Sequence, residues 1–290
     1  MKKSISLVLG SGGARGYAHI GVIDVLEKEG YKIESISGSS MGALIGGLYA
    51  CGKLSLYKEW VLSLDFFSVL KLIDFSFATT GVIKGDKVFD ILEDFIGDIQ
   101  IQDLPISFTA VATDLNTQKE IWFQEGSLLK AIRASIAIPT VFTPQINEKH
   151  LLVDGGILNP LPTVPLLSDV TDLLIAVNLN GERQATPLLS STNRENSIQN
   201  KITEFLQKNF SSQNQHEEQN YFTIISKTIE TMQNLITRYE LAAHQPDIVI
   251  EIPKNLCGFY EFHQAQKIID YGKEMAYKKI KAYEKLEKER

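Results

Sequence analysis

The chain has 290 residues, of which 44% are hydrophobic, enough for a buried core that excludes a disordered or fibrous protein. Its formal net charge of −6 has the wrong sign for a protein whose main partner is nucleic acid. Cys51 and Cys257 are too few for a disulfide framework and lack zinc-ligand spacing, so we expect a reducing compartment and no metal site.

The N-terminal part repeats one pattern, a short apolar strand followed by a glycine turn and a helix. Strands are predicted at 6–9 and 33–37, and the helices that follow them at 15–29 and 43–50. Two such units imply right-handed crossovers and parallel strands. We therefore predict a single domain over 1–290 with a three-layer α/β/α fold and a mainly parallel central sheet. Further runs rich in Ile, Val and Leu predict strands at 106–113, 149–153, 173–179 and 247–252.

Several later stretches depart from this alternation. The densely apolar segment 59–77 is consistent with a packed helix pair, or with a cap that binds acyl chains or faces a membrane. Residues 180–220 are rich in Asn, Gln, Ser and Glu, which predicts a polar surface excursion with one helical stretch at 198–210. A helix is predicted at 221–243, and a last helix over 261–290 ends in a Lys/Glu-rich run typical of a solvated face.

The apolar runs are short by the standards of targeting and membrane segments. The run at 5–9 is shorter than the roughly 7 to 15 residues of a signal-peptide core. Elsewhere, apolar runs fall short of the roughly 18 residues that a spanning helix needs. We therefore expect a cytoplasmic protein, at most in peripheral contact with a membrane through the apolar 59–77 segment and the basic last helix.

The sharpest chemical signal is a G-x-S-x-G sequence between a predicted strand and a predicted helix. Gly38 and Gly42 flank Ser40 within it. A nucleophile elbow needs a tight strand-to-helix turn that exposes the serine hydroxyl, and small flanking residues leave room for that turn. The competing interpretation is an ordinary glycine-rich turn whose serine caps the helix. The position between strand and helix favours Ser40 as a nucleophile.

A glycine-rich turn also follows the first predicted strand. Gly10 and Gly16 bound this turn, and within it Gly12 and Gly13 leave backbone N–H groups free to point at a ligand. The following helix favours negative charge at its N-terminus. This suits an oxyanion hole that stabilises the negative charge formed when the serine attacks. Arg15 either adds positive charge there or is a surface side chain. It also breaks the G-x-G-x-x-G dinucleotide pattern.

A nucleophilic serine also needs a proton acceptor. Asp154 follows the predicted strand at 149–153 and precedes Gly155 and Gly156, which free the backbone to turn beside its carboxylate. At the carboxyl end of a strand it lies where open α/β sheets bind ligands. The alternative is that Asp154 is only a structural residue of an Asp-Gly turn. The five histidines are not in loop contexts typical of a catalytic histidine.

Together these motifs are similar to those of the patatin-like phospholipases, in particular the bacterial branch. The resemblance extends over about 4–179 and again over 238–252. One departure is Ser11, which stands where many members have glycine. The matching motifs, in order, are L-G-S-G-G-A-R-G at 9–16, G-S-S-M-G at 38–42, A-S-I-A-I-P at 134–139 with Phe142 and Pro144, D-G-G at 154–156 and N-P at 159–160.

The resemblance implies a patatin-like fold and hydrolysis of acyl esters of lipids, of the phospholipase A or lysophospholipase type. It implies a serine–aspartate dyad, with Ser40 as nucleophile, Asp154 as general base and an acyl-enzyme intermediate. The amides of Gly12, Gly13 and Met41 are then the oxyanion hole. Such a dyad needs no metal or redox cofactor, and its partner is a lipid ester.

Three alternatives remain open from the sequence. A Ser-His-Asp esterase could use the same elbow, with His150 as the best-placed histidine because it adjoins the strand before Asp154. A non-catalytic module could instead bind a nucleotide or another anion on the Gly10–Gly16 turn. A regulatory protein could retain the fold without useful turnover.

Overall fold

The computed structural model describes residues 3–65, 67–69, 86–139, 142–146, 149–184 and 215–289. Residues 70–77 of the apolar segment and the predicted helical stretch at 198–210 lie outside the described residues. The described strands are β1 (Ser4–Leu9), β2 (Lys32–Ser39), β3 (Ser107–Asp114), β4 (Lys119–Phe123), β5 (Gln145–Ile146), β6 (Leu151–Asp154), β7 (Leu173–Gly181) and β8 (Ile248–Pro253). The described α-helices are α1 (Ala18–Lys28), α2 (Met41–Ala50), α3 (Leu54–Ser63), α4 (Asp86–Ile96), α5 (Leu128–Ser135), α6 (Gln215–Ala243) and α7 (Ala265–Glu289).

The strands form one eight-stranded sheet in the order β5-β6-β3-β2-β1-β7-β8, with β4 also paired to β3. The pairs among β3, β2, β1, β7 and β8 are parallel, as the repeated strand–turn–helix units predict. β4, β5 and β6 pair with their neighbours in antiparallel fashion. The predicted α/β class with a mainly parallel sheet is therefore confirmed.

Two strands share one edge of β3. Residues 110 and 111 of β3 pair with both β2 and β4, so these two strands lie on opposite edges. Residues 112–114 pair with both β4 and β6, so β6 lies on the same edge as β2. Since β2 is parallel and β6 antiparallel to β3, their carboxyl ends meet, Ser39 opposite Val111 and Asp154 opposite Ala112.

The two faces of the sheet are covered differently. On one face Ile5, Leu7 and Leu9 are fully buried in the main core with side chains of α1, α2 and α7. On the other face the apolar cluster is small and contains Val8, Leu161, Leu166 and Ala176, with Leu241 of α6 packed against it. This face also carries hydroxyl groups that bond to one another across strands, Ser35 to Ser6 at 2.9 Å and Ser6 to Thr171 at 2.8 Å. Helices therefore lie on both sides of the sheet.

Some elements differ from the predictions. Strands β4 and β5 were not predicted from the sequence, because β4 belongs to a tight turn with β3 and β5 has only two residues. The strand before Asp154 was expected among the parallel strands, whereas β6 is antiparallel to β3. α6 begins at Gln215, inside the predicted polar excursion, because polar residues such as Gln and Glu are good helix formers.

Other expectations of the sequence analysis have mixed outcomes. The last helix is confirmed at Ala265–Glu289, after a short 3-10 turn. The assignment of a single domain stays a prediction. Among the described residues, none of the helices is both long enough and apolar enough to cross a membrane.

The contact between β1 and α2 gives a first test of this packing. A Cβ at Gly42 would overlap the Leu9 carbonyl, far closer than van der Waals contact, and this backbone group cannot move aside. We expect Gly42→Ala to lower the free energy of unfolding by about 2–4 kcal/mol. Gly47→Ala, in the same helix, is the control because its Cβ would meet the flexible end of Ile132 at 2.8 Å. Equal denaturation midpoints for the two variants would contradict this packing.

Candidate active site

Ser40 occupies a strained turn between β2 and α2. Its φ and ψ are 56° and −123°, in a region that non-glycine residues rarely adopt. The neighbouring glycines make the turn possible, because a Cβ at Gly38 would collide with the backbone of Gly42. The backbone N–H of Ser40 donates to Ser135 Oγ at 2.9 Å, and Ser135 Oγ donates to the Val111 carbonyl at 2.6 Å. This is the geometry of a nucleophile elbow.

Asp154 lies against this elbow. Ser40 Oγ donates a hydrogen bond of 2.5 Å to Asp154 Oδ2, and the N–H of Gly156 donates one of 2.7 Å to Oδ1. Both side chains are buried, and the backbone N–H of Asp154 donates to the Ala137 carbonyl at 2.9 Å. The structure thus brings together the two residues predicted to act as nucleophile and base.

Burial dominates the electrostatics of this pair. It raises the pKa of the Asp154 carboxyl from an ordinary value near 3.8 to about 7, and the hydrogen bonds from Ser40 and Gly156 oppose that rise only in part. A carboxyl that titrates near neutral pH is a far better proton acceptor for a hydroxyl than a free aspartate. This raised pKa answers the difficulty that an ordinary aspartate is a weak base for an alcohol.

The glycine turn after β1 contains two amides that are unpaired in the described part of the chain, and Gly12 of this turn lines the cavity at Ser40. Hydrogen bonds hold the residues on either side of these two amides. Ser11 N–H donates to the Pro160 carbonyl at 2.8 Å, and Ala14 N–H donates to the Phe259 carbonyl at 2.9 Å. Between them, the N–H groups of Gly12 and Gly13 have no acceptor among the described residues. Gly13 has φ +57°, which favours glycine.

The backbone amide of Met41 directly follows Ser40 in the chain. Met41 is the first residue of α2, at a helix end where N–H groups have no partner within the helix.

The remaining motif glycines lie at close contacts, where a side chain would strike a neighbour: Gly10 against Val177 and Pro160, Gly16 against Met41, Gly155 against Val111, and Gly156 against Ser11.

Arg15 is buried, so the surface alternative for this residue is wrong. Its Nε donates to the Gly12 carbonyl at 3.1 Å and its Nη1 donates to the Lys254 carbonyl at 2.6 Å. Its guanidinium also lies 3.5 Å from the Glu230 carboxylate of α6. In a trans peptide the C=O and N–H groups point in opposite directions, so a bond to the Gly12 carbonyl fixes the direction of the Gly13 N–H. Arg15 therefore holds the turn in place.

His150 lies away from the pair. Its Nδ1 is 2.8 Å from Asp114 Oδ2, at the end of β3. It is four residues before Asp154 along an extended strand, a separation of about 13 Å. His19 is buried below the glycine turn, where its Nε2 bonds the Gly10 carbonyl at 2.8 Å and burial lowers its pKa to about 4. Among the described residues, the cavity at Ser40 is not lined by histidine.

A cavity of about 490 Å³ opens over Ser40 and Asp154. Much of its wall comes from α6 and from the segment after β8, regions in which the sequence analysis found no chemical signal. Burial raises the pKa of the Cys257 thiol in this wall to about 12, so this thiol stays protonated at neutral pH. The apolar and aromatic wall residues are Ile138, Pro139, Ile157, Ile229, Phe259 and Tyr260, and the charged ones are Arg15, Arg183, Lys227, Glu230 and Lys254.

The chain is similar to several known proteins. A family model described as patatin-like phospholipase matches residues 7–167. An uncharacterized NTE family protein of Mycobacterium tuberculosis is 37% identical, over 97% of this chain and 92% of the relative. Neuropathy target esterase of Drosophila melanogaster is 34% identical over 55% of this chain and 12% of its own length. The crystal structure of VipD from Legionella pneumophila has a TM-score of 0.49 at 14% identity, over 97% of this chain and 67% of that chain.

The buried carboxyl makes the stability of the protein depend on pH. Because the folded pKa of Asp154 is raised, its contribution to stability is present below pH 4 and is lost as the pH rises through about 7. Asn at this position never ionises. We therefore expect the free energy of unfolding of Asp154→Asn, measured relative to that of the wild type, to be greater at pH 8 than at pH 4. The increase should be on the order of 4 kcal/mol, at about 1.4 kcal/mol per pKa unit.

Thermal unfolding at pH 4 and pH 8 measures this difference. Asp172→Asn is the control, because hydrogen bonds from Ser4 lower the pKa of the exposed Asp172 carboxyl. This variant should gain no stability at pH 8. An Asp154→Asn variant whose relative stability is the same at both pH values would show that the carboxyl is not held neutral by burial.

Proposed function

Since this chain belongs to the patatin-like phospholipase family, a family of lipid hydrolases, we propose that it cleaves carboxylic esters of lipids with Ser40 as nucleophile and Asp154 as base. The observation that carries the proposal is the 2.5 Å hydrogen bond from Ser40 Oγ to Asp154 Oδ2 at the floor of a cavity. The reaction is of the phospholipase A or lysophospholipase type and proceeds through an acyl-enzyme.

In the first step Ser40 Oγ attacks the carbonyl carbon of the ester while Asp154 Oδ2 takes its proton. The carbonyl oxygen becomes an oxyanion, which the N–H groups of Gly12, Gly13 and Met41 stabilise. As the tetrahedral intermediate collapses, the proton on Asp154 passes to the alcohol oxygen that leaves. Ser40 is then esterified and Asp154 is again a carboxylate.

In the second step water hydrolyses the acyl-enzyme. Asp154 takes a proton from water as the water oxygen attacks the ester carbonyl, and then returns that proton to Ser40 Oγ. The fatty acid leaves and the dyad is restored. The two half-reactions use the same base and the same oxyanion donors.

The cavity supports a lipid substrate. Six of its wall residues are apolar or aromatic, Ile138, Pro139, Ile157, Ile229, Phe259 and Tyr260, and these suit an acyl chain. Arg183, Lys227 and Lys254 add cationic groups to the same wall. A wall with both characters fits an ester that has an apolar chain on one side and a polar headgroup on the other.

Turnover of p-nitrophenyl butyrate by three variants tests the proposal. Ser40→Ala should lose at least about 10³-fold in kcat, because no nucleophile remains. Asp154→Asn should lose about 10²- to 10⁴-fold, the contribution of a general base. His150→Ala should retain the wild-type kcat, because His150 bonds Asp114 rather than the dyad. Loss of activity in a folded His150→Ala would favour a Ser-His-Asp esterase, and an active Ser40→Ala would refute the nucleophile.

The pH dependence of turnover follows from the raised pKa of Asp154. Only the carboxylate form can accept the Ser40 proton, so kcat/KM should rise with pH and reach half its plateau near pH 7, where the carboxyl ionises. An ordinary aspartate would place this midpoint near pH 4. A profile that is flat between pH 5 and pH 9 would show that the pKa of the base is not raised to about 7.

A further inference from the structure

Helix α6 carries a stripe of exposed apolar side chains along one side. Ile225, Met232 and Tyr239 follow one another at intervals of about two helical turns, and Leu235 lies between the last two. With Ile224 they fall within an arc of about 100° around the helix axis. Their exposed fractions run from 43% for Leu235 to 66% for Tyr239. We call these five residues the outward stripe.

The opposite side of α6 packs on the body of the protein. Gln233, Thr237 and Leu241 follow one another at intervals of about one turn, half a turn away from the outward stripe. Gln233 lines the cavity at Ser40, Thr237 is only 2% exposed, and Leu241 packs against the small apolar cluster that contains Val8. The helix is therefore held on one side by the fold and leaves the outward stripe in contact with solvent.

The charged side chains of residues 224–243 are unevenly distributed around the helix. The two glutamates, Glu230 and Glu240, each lie within 3.9 Å of a basic side chain. The two cations, Lys227 and Arg238, are about three turns apart and therefore share one edge of the outward stripe. Neither cation forms an ion pair with another described residue. An apolar stripe bordered by unpaired cations is typical of a helix that lies in the surface of an anionic membrane.

We propose that the outward stripe docks on the surface of a lipid bilayer with anionic headgroups. The apolar side chains enter the boundary between headgroups and acyl chains, and Lys227 and Arg238 pair with lipid phosphates. The choice of lipid rests on the proposed function, because the other side of the same helix forms part of the cavity wall.

A second copy of the chain fits the outward stripe less well than a lipid surface does. In an antiparallel two-fold pair of these helices, the edge that carries Lys227 and Arg238 lies against the same edge of the other copy. Lys227 of each copy then lies near Arg238 of the other, and like charges repel. Anionic headgroups instead neutralise both cations.

Co-sedimentation with vesicles tests the inference. The full-length protein is mixed with vesicles of phosphatidylcholine alone, or of equal parts phosphatidylcholine and phosphatidylglycerol, and the bound fraction is measured as lipid concentration increases. The wild type should bind the anionic vesicles, and more weakly in about 0.5 M salt, which screens the cations. The double variant Met232→Gln, Leu235→Gln should need at least about tenfold more lipid for half binding, because two apolar side chains no longer insert.

Arg238→Gln separates the contribution of charge from that of the apolar side chains. One cation at the surface of an anionic membrane contributes about fivefold to binding, so this variant should need about fivefold more of the anionic lipid. Its binding to vesicles of phosphatidylcholine alone should equal that of the wild type.

The double variant Leu167→Gln, Val170→Gln is the matched control. Both side chains are exposed, Val170 to 98%, and they precede β7 at the amino ends of the parallel strands, away from α6. This variant should bind vesicles as the wild type does. Met232 and Leu235 do not line the described cavity, so their double variant should keep the wild-type turnover of soluble p-nitrophenyl butyrate. Its Tm should also stay unchanged, because both side chains are exposed.

Several results would overturn the inference. A wild type that does not bind anionic vesicles, or a Met232→Gln, Leu235→Gln variant that binds them equally well, would show that the outward stripe does not dock on lipid. A lower Tm of that variant would show that the stripe packs within the chain. A wild-type dimer in light scattering that this variant converts to a monomer would assign the stripe to a second copy. The proposed function fails differently, through absence of wild-type turnover of p-nitrophenyl butyrate, which leaves vesicle binding intact.

Discussion

The site depends on two strands that end face to face on one edge of β3. β2 delivers Ser40 from one direction and β6 delivers Asp154 from the other, because one strand is parallel and the other antiparallel to β3. Adjacent residues of β3, Val111 and Ala112, set the register of both. The 2.5 Å bond between the two side chains is therefore fixed by backbone pairing in the centre of the sheet, with little dependence on flexible loops.

This arrangement places an ionisable group where water is largely excluded, and the rest of the site accommodates it. Burial raises the pKa of Asp154 to about 7, which destabilises the folded protein at the pH where the base is active. The strained backbone of Ser40 also destabilises the folded protein. The main core of β1, α1, α2 and α7 supplies the opposing stability, and Ser135 and Gly156 hold the backbone and carboxylate of the pair.

The sequence predicted the parts of this molecule that are local. The strand–turn–helix units predicted the parallel strands, and the glycines around Ser40 predicted the elbow, because short-range sterics leave few alternatives. The direction of β6 could not be predicted, because strand pairing depends on partners far apart in the chain. Most of the cavity wall was missed for the same reason, since α6 and the segment after β8 reach the site only through the tertiary fold.

Arg15 shows most clearly which contacts could not be predicted from the sequence. Its position beside four glycines suggested charge at the site or exposure at the surface, and neither choice anticipated a buried side chain bonded to the Gly12 carbonyl. Its guanidinium bonds groups of Gly12, Lys254 and Glu230. Lys254 and Glu230 are more than 200 residues away in the chain. Such contacts link the glycine turn to α6, and they are visible only in the folded protein.

The site at which a fluorophosphonate ester modifies the protein tests the roles of Ser40 and Asp154 most directly. We expect a single adduct, mapped to Ser40 by peptide mass spectrometry. It should form faster as the pH rises through about 7 and be nearly absent in Asp154→Asn. An adduct on a different residue, or equal labelling of wild type and a folded Asp154→Asn, would contradict the claim that Asp154 activates Ser40.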